Sequence, residues 1–150
     1  MFRGVNSLTL DSKGRLAIPT RYRDTLTRVC NGQLVLTVDR DHCLLLYPLP
    51  EWEEIEHKLV KLPSFNAQVR RLQRLLIGHA TECELDGSGR ILLPPLLREF
   101  AGLQKAVVLI GQGNKFEVWD EGAWNARRAE WLAAGQESEA LPAELGSLSL

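Results

Sequence analysis

The sequence predicts an α+β fold, mainly β, built from two copies of one module that share a core. Three observations predict it. The phrase LDSKGRLAIP, Leu10 to Pro19, returns as LDGSGRILLP, Leu85 to Pro94, with Leu, Asp, Gly, Arg and Pro at matching places. Asp86 minus Asp11 gives an offset of 75, half of the 150-residue chain. The match then runs on through a short helical pattern, two strand-like runs and a tryptophan, and the offset drifts to 72 by Trp52 and Trp124 as loop lengths change. A period this long means two subdomains, not a solenoid of short units. Half of such a chain would expose too much surface to be stable alone, so the halves are expected to bury one common core.

In chain order, SLTL and RLAIP are strand-like, and DSKG between them has turn chemistry. Gly14 can take positive φ without steric cost, and Asp11 can bond the turn's own backbone. This places Arg15 at the tip of a β-hairpin. Pro19 keeps Ile18 extended and suits the first turn of a helix over TRYRDTL. Strands follow near 33–39 and 43–48, with DRDH as the hairpin turn between them. Residues 51–61 are helical, acidic first and lysine-rich last, as the macrodipole favours. After Pro63 and Ser64, residues 65–77 form a bridging helix with Phe65, Val69, Leu72 and Leu76 on one stripe and Arg70, Arg71 and Arg74 on the other side. The second copy repeats the series, with Asp86 and Gly89 in its turn, Arg90 after it, PLLREFAGL as the helix carrying Arg98 opposite Arg23, and a closing helix near 121–134. The chain thus divides into a first copy with its trailing helix (1–62), the bridge (63–78), a second copy with its trailing helix (79–135) and a small, polar, acidic stretch (136–150) expected to be a mobile tail.

No apolar run approaches the roughly 20 residues that span a bilayer, and MFRGVNSLTLDSKG lacks the apolar centre of a signal peptide. Cys30, Cys43 and Cys83 are odd in number and widely spaced, which suits buried thiols in a reducing compartment and not a disulfide frame or zinc site. The formal net charge is −1, but its distribution is uneven. Residues 1–28 carry Arg3, Lys13, Arg15, Arg21, Arg23 and Arg28 against Asp11 and Asp24, whereas no basic residue follows Arg128. Local potential, not the total, attracts a polyanion.

The Asp-x-x-x-Arg turns are the candidate site. An arginine presents a planar fork of donors that matches phosphate or the O6/N7 edge of guanine. Lys13 adds a second cation to the first turn, and an exposed cationic pair gains little stability from its position. Lys13 and Arg15 are therefore read as ligand-binding. Asp11 and Asp86 suit two roles equally: orienting the arginine for a ligand, or locking the turn as a plain ion pair. The second copy has Ser88 where the first has Lys13, which makes Arg90 the weaker candidate.

The bland readings hold elsewhere. His42, His57 and His79 stand alone, without a partner at ligand spacing. GQGNK, Gly111 to Lys115, lacks the full phosphate-loop spacing and falls where DRDH falls in the first copy, so it reads as a turn. Ser7, Ser12 and Ser64 have no partnered base. Tyr47, Trp52, Trp119 and Trp124 recur at equivalent places, as core or subunit packing would require. The arginines at 70, 71 and 74 form a solvated face, or pair with a neighbour's acidic 51–56 segment in an oligomer. No catalytic residue, metal, cofactor or small-molecule substrate is expected.

The pattern D-x-x-G-R followed by apolar residues, Pro and a short arginine-bearing helix resembles the swapped-hairpin DNA-binding fold of the AbrB/MazE/SpoVT superfamily. Its duplication, with the start M-F-R-G, resembles the bacterial MraZ transcriptional regulators. That resemblance covers about residues 1–135. It implies a double-split β-barrel with flanking helices, ring-shaped homo-oligomers, a cytoplasmic and nucleoid location, and sequence-specific binding of double-stranded DNA at repeated promoter boxes ahead of the division and cell-wall gene cluster, this chain's own gene included. Arg15 and Arg90 match the family arginine. Arg23 matches a helix arginine of single-copy relatives, whose next position is often basic and here is Asp24. Arg3, Arg21 and Arg23 would then set register on phosphates. A second class, an antitoxin-like interaction module using the acidic end, predicts partner loss without DNA loss when that end is removed.

Overall fold

The computed structural model describes residues 1–134 and residue 148. In chain order the elements are β1 (Phe2–Thr9), β2 (Arg15–Ala17), α1 (Thr20–Cys30), β3 (Gln33–Val38), β4 (Leu44–Pro48), α2 (Leu49–Val60) and α3 (Ala67–Leu76), then β5 (Thr81–Glu84), β6 (Arg90–Leu92), α4 (Pro95–Phe100), β7 (Ala106–Gly113), β8 (Phe116–Asp120) and α5 (Glu121–Ala134). The fold is α+β, with most strands in one large antiparallel sheet.

The sheet has six strands in the order β1-β7-β8-β4-β3-β5, and β2 pairs with β6 in a separate two-stranded ribbon. Exchange every strand of one copy for its counterpart in the other (β1 for β5, β3 for β7, β4 for β8) and the order reads the same backwards. Each copy surrenders its first strand to the other: β1 lies along β7, and β5 along β3. This corrects the expected hairpin. Asp11 to Gly14 turns the chain, but β1 and β2 do not pair, and both go to strands of the second copy. The strand predicted from Ser7 also starts earlier, at Phe2, because Phe2 packs 4.4 Å from Phe116, ring centre to ring centre, in the core.

The main core draws on both halves. Leu16, Ile18, Leu26, Leu34 and Leu46 meet Ile91, Leu93, Leu97, Leu109 and Phe116 in one buried cluster. Burial at this scale, roughly 1.5–3 kcal/mol for each large side chain, explains why neither copy needs to stand alone. Each copy also covers the other face of its strands. Val35, Leu45, Tyr47, Trp52 and Leu59 pack together, with Leu72 and Leu76 of α3 against them. Cys43, Val108, Ile110 and Trp119 pack with Trp124 of α5. The recurring aromatics serve this packing: Tyr47 and Trp52 stand 5.8 Å apart, as do Trp119 and Trp124.

Local chemistry sets the helix limits. Asn31, at φ 53°, and Gly32, at φ 71°, end α1, and their N–H groups donate to Thr27 and Leu26 carbonyls. Asn66 caps α3 by accepting from the N–H groups of Gln68 (2.8 Å) and Val69 (3.3 Å). That cap excludes Phe65 from the apolar stripe predicted for it, and its ring is 85% exposed. Cys43 is buried, whereas Cys30 and Cys83 are only partly so, and all three are free thiols. Burial pushes the Cys83 thiol up to about 12 and raises Cys43 as well. The expected tail, 136–150, lies outside the described residues apart from Leu148. Among the described residues, no helix is long and apolar enough to cross a membrane.

Candidate nucleic-acid interface

The β2–β6 ribbon is three residues long on each side, with Leu16 opposite Ile91, Arg15 opposite Leu92 and Ala17 opposite Arg90. Strand alternation divides it into two faces. Leu16 and Ile91 enter the core and are 0% and 1% exposed. Arg15, Ala17, Arg90 and Leu92 share the outer face, where Ala17 and Leu92 are exposed and the arginines partly so. The exchange of strands between copies thus brings two arginines 75 positions apart onto one small surface.

Each turn is braced by its aspartate. Asp11 Oδ1 accepts from the N–H groups of Lys13 (2.9 Å) and Arg15 (2.9 Å), and Gly14 N–H donates to the Asp11 carbonyl (3.0 Å). Asp11 Oδ2 then holds Arg15 Nε at 2.7 Å. Asp86 repeats this with Ser88 N–H (2.8 Å), Arg90 N–H (2.9 Å) and Arg90 Nε (3.2 Å). Asp11 Oδ2 also lies 3.8 Å from Arg90 Nη1, so one carboxylate faces both arginines. The Arg15 backbone N–H, followed by its side chain, holds the Asp11 carboxyl down at about 2, and the Arg90 N–H lowers Asp86 likewise. Each ion pair locks its turn and fixes which way the guanidinium points.

Beneath the ribbon each turn is held by the opposite copy. Leu93 N–H donates to the Gly14 carbonyl (3.0 Å), and Ile18 N–H to the Gly89 carbonyl (2.9 Å). Gly14 has φ 78° and is covered by the Arg98 guanidinium; Gly89 has φ 72° and is covered by Arg23. Arg23 Nε donates to the Ile18 carbonyl, and Arg98 Nε to the Leu93 carbonyl at 2.9 Å. Arg23, expected on a phosphate, is therefore engaged first in this clasp. The sequence marks Arg98 only as the counterpart of Arg23.

The other predicted residues are distributed more widely. Lys13 is exposed beside Arg15. Arg21 donates to Asn6 Oδ1 and to the Tyr22 hydroxyl (2.9 Å), which itself donates to the Arg3 carbonyl. Arg3 is exposed near the far end of β1, about 25 Å of extended strand from the turn. Alternation puts it on the side of Val5 and Ser7, toward α5, while Arg21 grips the opposite side at Asn6. These two do not join the ribbon cluster. Lys105, unnoticed in the sequence, does come close: it lines a shallow depression with Asp11, Ser12, Gly14 and Arg98.

GQGNK forms the β7–β8 hairpin turn, closed by Gln112 N–H to the Lys115 carbonyl (2.8 Å). Asp39, Cys43 and Glu117 bring potential ligand atoms within 4.8 Å of one another. Their atoms already have protein partners: Asp39 Oδ2 accepts from Asp41 N–H (3.0 Å) and faces Cys43 Sγ (3.8 Å), and Glu117 accepts from Trp119 Nε1 (2.9 Å).

Comparison with known proteins places the whole chain among relatives of one kind. The family model described as "MraZ protein, putative antitoxin-like" matches twice, over residues 1–75 and 76–141. The chain is 64% identical to the transcriptional regulator MraZ of Thioalkalivibrio sulfidiphilus, with both chains covered in full. It is 65% identical to that of Methylococcus capsulatus over 99% of each chain, and 63% identical to that of Halorhodospira halophila over the full length of both.

Proposed function

This chain belongs to the MraZ family, and on that premise we propose that it is a DNA-binding transcriptional regulator that reads duplex DNA with the β2–β6 ribbon. The observation that carries this reading is the convergence of Arg15 and Arg90 on one outer face, each held by the aspartate of its own turn, Asp11 and Asp86, with Asp11 Oδ2 facing both. A two-stranded ribbon fits the major groove, and arginine is the usual reader of guanine there. Lys13 and Lys105 supply phosphate attraction beside the reading face, while Arg3 and Arg21, on opposite sides of β1, stand outside it. Arg23, with Arg98, supports the turns from beneath.

A ribbon this small makes few contacts, and a single one binds weakly. We infer that the sheet and ribbon close as a double-split barrel and that the chain assembles into a ring, presenting identical ribbons to repeated boxes. If one ribbon binds at ~10 μM and the next sees an effective concentration of ~1 mM, the second engagement adds about 100-fold. Repeats spaced near one helical turn suit such an array. The target is the promoter of the division and cell-wall gene cluster that includes the chain's own gene, in the cytoplasm at the nucleoid. The role is regulatory and not enzymatic, and requires no cofactor.

The test is a mobility shift on the duplex upstream of this chain's reading frame. Retarded complexes with the native chain and none with Arg15→Ala support the reading. Equal retardation by both refutes the assigned role of Arg15, and no retardation at low salt refutes the function.

A further inference from the structure

The outer face of the ribbon holds a side chain that the electrostatic reading leaves unused. Leu92 is 53% exposed, although it sits in a strand whose other apolar member, Ile91, is fully inside. It lies directly opposite Arg15 in the ribbon register. Its counterpart in the first copy is Ala17, opposite Arg90. The two copies therefore present the same arginine with different apolar neighbours, and only the Arg15 side has one with reach.

We infer that Leu92 reads the C5-methyl group of a thymine next to the base pair read by Arg15. This rests on the DNA-binding function proposed above and deepens it to base preference. The major groove exposes one apolar group, the thymine methyl, and aliphatic side chains meet it there. Residues opposite one another in an antiparallel pair are about 5 Å apart at Cα. Successive base pairs rise 3.4 Å. A ribbon that sets the Arg15 fork on one base pair therefore lays Leu92 over its neighbour. A polar side chain at residue 92 would suit phosphate or solvent equally well; a leucine gains only from an apolar partner. Ala17 offers a single methyl beside Arg90, so thymine preference is graded, strong beside Arg15 and weak beside Arg90. The preference thus breaks the equivalence of the two copies and gives the ribbon a direction on the duplex.

The probe is the duplex upstream of the chain's reading frame, made once with thymine and once with deoxyuracil in both strands. Uracil keeps every hydrogen-bonding atom of thymine and lacks only the methyl. Fluorescence anisotropy with the full-length native chain is expected to show weaker binding to the uracil duplex by roughly fourfold per engaged ribbon, the effect of losing one buried methyl-sized group. Two engaged ribbons compound this to roughly 15-fold. Leu92→Ala should keep only the weak preference that an alanine methyl gives, and Leu92→Met should retain the full preference. Equal binding of both duplexes by the native chain overturns the inference. So does a preference undiminished in Leu92→Ala, since it would then come from duplex shape, and so does a Leu92→Ala chain whose only change is its oligomeric state. If the native chain binds neither duplex while Arg15→Ala behaves identically, DNA binding itself fails, an outcome distinct from the first three.

Discussion

The Arg98 guanidinium lies across Gly14, so a residue of the second copy closes the turn of the first. A Cβ at residue 14 would stand 2.6 Å from Arg98 Cζ, on a backbone already at φ 78°. Arg23 meets Gly89 in the same way. The consequence is mutual dependence: neither Asp-x-x-x-Arg turn is complete until the other copy has folded against it.

Gly14→Ala should therefore destabilise the fold by about 1–3 kcal/mol, from a strained left-handed alanine and a displaced Arg98. Urea denaturation measures it, as a lower midpoint at unchanged slope. A midpoint equal to that of the native chain would show that the turn has room to relax and that the clasp is not a constraint.

Arg15→Ala and Lys13→Ala should fail in different ways. The Arg15 guanidinium is held by Asp11 Oδ2 at 2.7 Å, and its loss should remove base discrimination. Lys13 is exposed and, among the described residues, makes no side-chain bond, so its loss should weaken all sequences alike and reduce the slope of log affinity against log salt by about one. Competition titrations with promoter and scrambled duplexes at several salt concentrations separate the two. A Lys13 variant with altered sequence preference would move the lysine from phosphate to base.

The motif residues were legible from sequence because their chemistry is local. Asp11 reaches its own turn two and four residues on, and the repeat announces the second site at once. Local chemistry alone does not show the strand exchange, which only the resemblance to a swapped-hairpin fold implies, because turn chemistry fixes a change of direction without choosing the partner strand. SLTL and RLAIP satisfy a hairpin pattern equally well whether they pair with each other or with the opposite copy. Arg23 illustrates the cost of that ambiguity. Its helix position suggests a surface contact, and only the exchanged topology brings Gly89 beneath it. Phe65 departs from its predicted stripe for a simpler reason: the apolar period runs through it, but the helix is capped by Asn66, one residue later.

The Asp11 carboxyl is held near 2, against an ordinary 3.8, chiefly by the Arg15 backbone N–H. A lowered carboxyl stabilises the folded turn fully above its ordinary value and loses that contribution as pH falls through about 2. The brace on Arg15 is thus complete at neutral pH, and acidification to pH 5 should leave it intact. Carboxyl carbon resonances followed by NMR should place the Asp11 midpoint near 2. In Arg15→Ala it should rise only part of the way, since the backbone N–H groups of residues 13 and 15 remain. A native midpoint at the ordinary value would mean that the turn is open in solution.

Arg15 and Arg90 should act as a coupled pair. They share the outer face of one ribbon, and Asp11 Oδ2 lies 2.7 Å from Arg15 Nε and 3.8 Å from Arg90 Nη1. Removing either arginine lets the carboxylate turn wholly to the other, so the second substitution starts from an altered site. Affinities of the native chain, Arg15→Ala, Arg90→Ala and the double variant for the promoter duplex form a closed cycle. Groups in direct contact through one partner depart from additivity by about 0.5 kcal/mol or more. A cycle additive within error would show two independent cations that happen to be neighbours, and the ribbon would then be no more than a scaffold for separate contacts.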